Sequence, residues 1–151
     1  MRRVVLTLAA LAASAAVASP AFANEARVEA RGGVIWGGGN EEATAGIAAG
    51  YDFDLGSAAF AGVEVSADKA LAGGADIAVG FTGRVGLKAS EATKVYVDGG
   101  YTVTDGEDTP HVGAGIEQKL GKNLYGKVFY RHNFSDFTDT NTVGIGAGVK
   151  F

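Results

Sequence analysis

The chain has 151 residues, a formal net charge of −4, 24 glycines and no cysteine. Without cysteine, neither a disulfide framework nor a thiolate metal site can form. The basic residues do not gather into a stripe and the acidic residues do not form a tail, so the composition indicates no nucleic-acid partner. The length is that of a single domain.

The amino-terminal end has the pattern of a secretory signal peptide. Two arginines precede the uncharged apolar stretch 4–17, and the small-residue site Ala21-Phe22-Ala23 follows. The apolar stretch is shorter than the roughly 20 residues that a membrane-spanning helix needs, which argues against an anchor. We therefore expect residues 1–23 to be cleaved after Ala23. Losing the two arginines would change the charge from −4 to −6 and leave residues 24–151 as the mature domain.

Eight later segments alternate between apolar and other residues with a period of two. Runs of about ten residues with this alternation are typical of tilted strands that cross a bilayer. Both prolines lie outside these runs. The predicted strands are Arg27–Trp36, Thr44–Asp54, Ala58–Asp68, Asp76–Lys88, Lys94–Thr104, His111–Leu120, Tyr125–Phe134 and Thr142–Phe151.

The predicted connections alternate in length along the chain. Those after the even strands are tight, whereas those after the odd strands are longer and polar or glycine-rich. Short turns on the periplasmic side and longer outer loops are the asymmetry of outer-membrane barrels. The longer connections are Gly37–Ala43, Lys69–Ala75, Asp105–Pro110 and Ser135–Asn141.

Nearly every predicted strand has one apolar face without charge and one polar face that carries the ionic residues. In a soluble barrel the apolar face would be the core, whereas in a membrane barrel it would face lipid. Small apolar residues such as Ala45 and Ala61 would fill a soluble core poorly, and the glycines of the polar face suit a crowded lumen. Outward aromatics near the strand ends would form two interfacial girdles: Tyr51, Phe53 and Phe151 at the periplasmic rim, and Trp36, Tyr101 and Phe134 at the outer rim. The sequence therefore predicts an all-β fold, an eight-stranded antiparallel up-and-down transmembrane β-barrel.

The last two predicted strands carry a family resemblance. The chain ends on Val143-Gly-Ile-Gly-Ala-Gly-Val-Lys-Phe151, an amphipathic strand that finishes on an aromatic, and the run Lys127-Val-Phe-Tyr-Arg-His-Asn-Phe-Ser-Asp136 precedes it. Both runs resemble those of small Gram-negative outer-membrane barrels of the OmpA/OmpX type, and more closely the opacity-protein or "porin family" barrels. His132 stands where an aromatic is usual in that family.

This resemblance implies a place in the cell outer membrane, in contact with outer-membrane lipid. It also implies delivery by periplasmic chaperones and insertion by the barrel-insertion machinery. The residues that the resemblance assigns to the membrane-insertion signal are Val143, Ile145, Val149 and Phe151. We further expect a monomer without a cofactor.

Eight strands enclose an interior just wide enough for side chains to fill it. Inward charges of mixed sign must find partners there, which predicts a lumen largely plugged by ion pairs. Tyr96, Tyr125 and Phe129 also point inward. The alternative is a narrow gated pore with Arg84 and Arg131 at its constriction. The predicted lumen charge network consists of Glu29, Arg31, Glu64, Arg84, Asp98, Glu117, Lys119 and Arg131.

We expect a structural or surface role and no enzymatic activity. A lipid A deacylase of this class carries His and Ser two residues apart, but His132 and Ser135 are three apart, so a regular strand puts them on opposite faces. Two histidines without cysteine do not predict a metal site. Two alternatives stay open: an outer-leaflet lipid A-modifying hydrolase, and a soluble exported lipocalin-like barrel that binds a small ligand.

Overall fold

The computed structural model describes residues 24–105 and 107–151. These residues form a closed barrel in which each strand pairs antiparallel with its neighbours in the sequence, and β8 pairs with β1. The predicted eight-stranded antiparallel up-and-down barrel is confirmed. The predicted signal peptide, residues 1–23, lies outside the described residues. The strands are β1 Glu25–Gly37, β2 Asn40–Leu55, β3 Ala59–Ala70, β4 Ile77–Lys88, β5 Thr93–Thr104, β6 Glu107–Lys119, β7 Leu124–Asn133 and β8 Thr140–Lys150.

The barrel closes along nearly the whole length of β1. The β1–β8 ladder runs from Arg27 opposite Lys150 to Trp36 opposite Asn141. Beyond it, the Phe151 amide donates to the Ala26 carbonyl at 2.9 Å, so the last residue also joins the ladder. Closure pairs the strand edges that an open sheet would expose. The end of the barrel that holds Glu25 and Phe151 is called the terminal end below, and the other is called the far end.

Alternation along the strands places apolar side chains outside and ionic ones inside. Val97 and Ile116 are 57% and 55% exposed, whereas Glu64, Arg84 and Glu117 are 5%, 3% and 1% exposed. A soluble barrel has the opposite arrangement, because its apolar face forms the core. The described part of the chain contains no helix of the length and apolarity that crossing a membrane requires.

Two connections at the far end are shorter than the sequence predicts. β1 and β2 are joined by Gly38 and Gly39 alone, and β5 and β6 by residues 105–106, so the predicted loops Gly37–Ala43 and Asp105–Pro110 are wrong. Gly38 and Gly39 have φ of 59° and 86°. Positive φ at both central residues gives a two-residue turn whose twist matches that of the flanking strands.

The shorter turn after β5 places Pro110 inside a strand, contrary to the prediction. Pro110 lies in β6 opposite Tyr101 of β5. Its carbonyl accepts from the Phe134 amide at 2.9 Å, just beyond the last β7 ladder residue, Asn133. In an antiparallel sheet, the N–H and C=O of one residue point to the same neighbouring strand. The Pro110 nitrogen, which carries no hydrogen, therefore faces β7 at the point where the β6–β7 ladder ends. A proline is tolerated at such a position.

Candidate functional site: the charged lumen

Glu64 of β3 lies at the centre of the largest group of ion pairs. Its carboxylate contacts Arg27 Nη1 at 2.7 Å and Arg31 Nη1 at 3.0 Å. Lys127 Nζ lies 3.5 Å away and Arg131 Nη2 3.9 Å away. The four cations come from β1 and β7, so this carboxylate links strands that are not neighbours in the sheet.

Arg84 of β4 forms the second group, nearer the terminal end. Its Nε donates to Asp52 Oδ1 at 2.9 Å and its Nη1 donates to Glu117 Oε2 at 3.0 Å. Lys94 Nζ lies 3.3 Å from Asp52 Oδ2, and Lys150 Nζ also pairs with Glu117. The planar guanidinium of arginine can donate to two carboxylates at once, and such charge-assisted hydrogen bonds are stronger than neutral ones.

Two further carboxylates, Glu29 and Asp68, extend these groups. Glu29 accepts from the Tyr125 hydroxyl at 2.6 Å and lies 2.5 Å from Lys127 Nζ. Asp68 accepts from Arg31 Nε at 2.7 Å and pairs with a second nitrogen of the same guanidinium. A charge as deeply buried as that of Glu29 needs such partners, because it would otherwise keep an uncompensated desolvation cost.

Inward aromatics lie flat over glycines of the neighbouring strand. A Cβ added at Gly86 would come within 2.7 Å of the Phe60 ring, and one at Gly148 within 2.9 Å of the Tyr125 ring. The absence of side chains at these glycines gives the rings their room. The directly paired residues are Phe60 and Gly86, Tyr96 and Gly115, Tyr125 and Gly148, and Phe129 and Gly144.

The same rings lie against the cations of the ion pairs. The Arg84 guanidinium carbon is 4.9 Å from the centroid of the Tyr96 ring and 5.2 Å from that of Phe60. Lys150 Nζ lies 4.8 Å from the Tyr125 centroid. These are cation–π distances, so the aromatics add attraction as well as volume to the interior.

Toward the far end, where Asp68 pairs with Arg31, neutral hydrogen bonds join the ion pairs. His111 of β6 contacts the Thr82 hydroxyl through Nε2 and the Thr102 hydroxyl through Nδ1, both at 3.0 Å. Three buried atoms in this part of the lumen have no hydrogen-bond partner among the described residues: Ser66 Oγ, Asp98 Oδ1 and Arg131 Nε.

The structure brings together six of the eight residues in the predicted lumen network: Glu29, Arg31, Glu64, Arg84, Glu117 and Arg131. Asp98 points inward but makes no ion pair within 4.0 Å among the described residues, and Lys119 is exposed at the terminal end. The prediction omitted Arg27, Asp52, Asp68, Lys94, Lys127 and Lys150, which contribute to the ion pairs. The alternation that places the predicted residues inward also places these inward, so strand position alone could have found them.

The residues of the predicted insertion signal lie on the outward face at the carboxyl end. Val143, Ile145, Val149 and Phe151 are all exposed. Their recognition by an insertion machinery stays a prediction.

His132 and Ser135 do not form a nucleophile–base pair. The Ser135 hydroxyl donates to Glu107 Oε1 at 2.6 Å. His132 contacts Asn141 Oδ1 through Nδ1 at 2.8 Å, and its Nε2 lies 3.6 Å from Asp139. The sequence offered no carboxylate for His132 and the structure supplies one, but both imidazole nitrogens face groups other than Ser135.

Two recesses open at the ends of the barrel. The one at the terminal end, about 250 Å³, is lined by carboxylates and by several lysines, among them Lys88, Lys119 and Lys122. The one at the far end, about 590 Å³, lies beside Trp36 and the β1–β2 turn. Among the described residues, no three His, Cys, Asp or Glu side chains are grouped so that they could hold a metal ion.

Comparison with protein-family models finds no match, and comparison with curated proteins finds none either. Solved structures share the fold. The amino-terminal β-barrel domain of Pseudomonas aeruginosa OprF is 13% identical, with a TM-score of 0.64 over 84% of this chain and 97% of that one. Ail, the attachment invasion locus protein of Yersinia pestis, is 13% identical, with a TM-score of 0.63 over 85% of this chain and 97% of that one. A de novo designed transmembrane β-barrel is 20% identical, with a TM-score of 0.52 over 82% of this chain and 95% of that one.

Proposed function

We propose that this protein is a monomeric integral outer-membrane β-barrel of the OmpA/OmpX type, with a structural or surface role. One observation carries the proposal: the barrel exposes apolar residues such as Val97 and Ile116 and buries ionic residues such as Glu64. In water this arrangement would expose the apolar face and bury the charges at a cost, whereas in a bilayer the apolar face meets hydrocarbon. Strand pairing all round the barrel also satisfies the backbone, as lipid requires.

The orientation follows from how such barrels insert. Glu25 and Phe151 lie at the same end of the barrel, and in the family that the sequence resembles this end faces the periplasm. The far end, with the turn at Gly38 and Gly39 and the connections 71–76 and 134–139, then faces outward. These connections are short, so the exposed surface is small. A structural role or contact with a compact ligand suits it better than a large receptor surface.

We propose that the interior does not form a wide pore. Glu64 and Arg84 are bonded to side chains from β1, β2 and β6, so ion pairs cross the lumen in several directions. Opening a continuous path would separate buried charges, at a cost of about 3–5 kcal/mol for each broken pair. The charged interior also argues against a lipocalin-like site, which would need an apolar cavity.

The proposal includes no catalytic role. The alternative of an outer-leaflet lipid A hydrolase needs a serine activated by a histidine. Ser135 donates instead to Glu107, and His132 is held by Asn141. Mass spectrometry of lipid A from cells with and without the protein tests this directly: an unchanged acyl pattern is expected, and loss of a chain would favour the hydrolase.

Membrane insertion is tested by fractionation and gel mobility. We expect the protein to stay with outer membranes until detergent is added, and to shift in mobility when the sample is heated. Recovery from the periplasm without detergent would reject insertion. Conductance in planar bilayers tests the occluded lumen, with Arg84→Ala and Arg131→Ala as variants that remove cross-lumen side chains. We expect no large steady channels from the native chain, and a steady wide conductance would reject the occluded interior.

A further inference from the structure

Among the residues that the structure describes, Lys69 is the one cation on the outward face of the barrel. It pairs directly with Ala45 of β2 and with Ile77 of β4, and Ile77 is exposed on the apolar outer surface. Residues directly opposite in antiparallel strands point to the same side of the sheet, so Lys69 also points out of the barrel. The described arginines lie in the lumen instead, and the other described lysines lie in the lumen or at the terminal end.

Lys69 lies at the far-end edge of the apolar outer surface. It is the last outward residue of β3, which ends at Ala70. Toward the terminal end, every other outward residue of β3 is alanine or valine. When this surface lies in a bilayer, the long side chain brings its ammonium to the headgroups of the outer leaflet. This step rests on the proposed membrane insertion and orientation.

The ammonium of Lys69 is available to a ligand. The side chain is exposed and makes no ion pair with a described residue. The preceding carboxylate, Asp68, points inward and pairs with Arg31. On the neighbouring strand β2, the outward carboxylate of Glu41 lies four residues beyond Ala45 toward the far end. That separation is roughly 13 Å along the strand, so Glu41 does not neutralise the lysine.

Small side chains surround Lys69 on the outer surface. Ala45 lies directly opposite, Ala43 is the next outward residue of β2, and Ala67 is the preceding outward residue of β3. None of them is tall enough to cover the ammonium. A headgroup can therefore approach Lys69 from the side, while the apolar chains of the same lipid lie over the alanines and valines of β2 and β3.

We propose that Lys69 binds a phosphate of lipid A, the lipid of the outer leaflet of Gram-negative outer membranes. The ammonium donates charge-assisted hydrogen bonds to the phosphate oxygens. The position of Lys69 selects this occupant, because the molecules that meet the rim of the outer face on the outward side are lipid A. The charge selects the group, because an unpaired ammonium is complemented by an anion.

Native mass spectrometry of the folded barrel in nonionic detergent measures the binding. The barrel is mixed with bisphosphorylated lipid A and, separately, with lipid A from which both phosphates have been removed. We expect the native chain to retain about fivefold more of the phosphorylated lipid, as for one exposed ion pair of good geometry. Equal retention of the two would overturn the proposal. Equal retention of phosphatidylglycerol and phosphorylated lipid A would overturn the assignment to lipid A.

Two exposed lysines at opposite ends of the barrel provide matched variants. Lys69→Gln and Lys119→Gln each remove one positive charge that makes no ion pair with a described residue, but only Lys69 lies on the outward face. We expect Lys69→Gln to lower the retention of phosphorylated lipid A about three- to fivefold, and Lys119→Gln to leave it nearly unchanged. Lys69→Arg keeps the charge and should retain the native amount. Equal losses for the two glutamine variants, or an equal loss for Lys69→Arg, would overturn the site.

The use of micelles separates this proposal from membrane insertion. A heated-gel shift in each variant shows that its barrel folds. A native barrel that needs detergent for extraction, with no difference between Lys69→Gln and Lys119→Gln, would overturn the lipid A site alone. Recovery of the native barrel from the periplasm without detergent would overturn insertion, and with it the place of Lys69 at the outer leaflet.

Discussion

The two halves of the lumen satisfy their buried groups in different ways. In the terminal half, Arg84 bonds to Asp52 and Glu117, so charge meets charge. In the far half, His111 lies between the hydroxyls of Thr82 and Thr102, and these neutral contacts lie beside the ion pair of Arg31 with Asp68. Buried atoms without a hydrogen-bond partner among the described residues occur in both halves, for example Arg27 Nε in the terminal half and Ser66 Oγ in the far half.

The difference follows from the energetics of burial. Removing one member of a buried ion pair leaves an unpaired charge and costs about 3–5 kcal/mol, whereas a neutral hydrogen bond contributes about 0.5–1.5 kcal/mol net. The ion-paired groups of the terminal half should therefore tolerate little substitution, and the neutral groups of the far half considerably more. The variants below test this contrast, measured as the free energy of unfolding in lipid vesicles.

Glu64→Gln should give the largest loss. The carboxylate has Arg27, Arg31 and Lys127 within 3.5 Å, and a neutral amide leaves those cations undercompensated. We expect the free energy of unfolding to fall by about 3–5 kcal/mol. Urea titration followed by gel mobility measures it, with the exposed Glu42→Gln as the control. A loss no larger than that of the control would break the contrast between the two halves.

Gly148→Ala should come next, because it tests how tightly the terminal half is packed. An added Cβ would come closest to the backbone carbonyl of Val28, and it would meet the Glu29 Cβ at 2.8 Å and the Tyr125 ring at 2.9 Å. Overpacking of this kind costs about 1–3 kcal/mol. On the same strand and face, a Cβ at Gly146 would meet the flexible Lys127 side chain at 3.2 Å and the Ala30 carbonyl at an ordinary 3.6 Å. Gly146→Ala should therefore be milder when both variants are unfolded in urea. Equal losses would show that the aromatic packing at Gly148 is not limiting.

Thr102→Val should have a smaller effect, because it breaks neutral contacts in the far half. The change keeps the shape but removes the hydroxyl that contacts His111 Nδ1 at 3.0 Å. We expect a loss of about 1 kcal/mol. A loss as large as that of Glu64→Gln would contradict the expected difference between ionic and neutral contacts.

Lys119→Gln should have the smallest effect. The sequence placed Lys119 in the lumen network, but the residue is exposed and makes no ion pair within 4.0 Å among the described residues. Surface substitutions of this kind change stability by less than about 0.5 kcal/mol. A thermal scan in detergent suffices, with Glu64→Gln as the sensitive reference. A marked drop in unfolding temperature would show that Lys119 does take part in the ion-pair network of the lumen.

Much of the fold could be read from the sequence, because a period of two determines which face each residue occupies. The far-end turns could not be read in the same way. Charged residues such as Glu41 and Asp108 are typical of loops, but here they lie in strand ladders that extend beyond the apolar part of the outer face. The dipeptide Gly38-Gly39 is the local signal for a two-residue turn, and giving it more weight would have predicted the β1–β2 connection.

The sequence predicts that the lumen is charged, but it does not predict which charges pair. Alternation says that Glu64 and Arg27 both face inward, but which charges meet depends on strand tilt and register around the whole barrel. Arg27 and Glu64 lie on β1 and β3, which are not adjacent, so no local rule joins them.

Spin labels provide the most direct test of which face meets lipid. The chain has no cysteine, so Val97→Cys and Ile116→Cys can each carry a single nitroxide in the reconstituted barrel. The account predicts that oxygen, which concentrates in hydrocarbon, reaches both labels readily, while a water-soluble nickel chelate barely does. Labels that meet the chelate freely and are shielded from oxygen would contradict the central claim that the apolar face of this barrel lies against lipid.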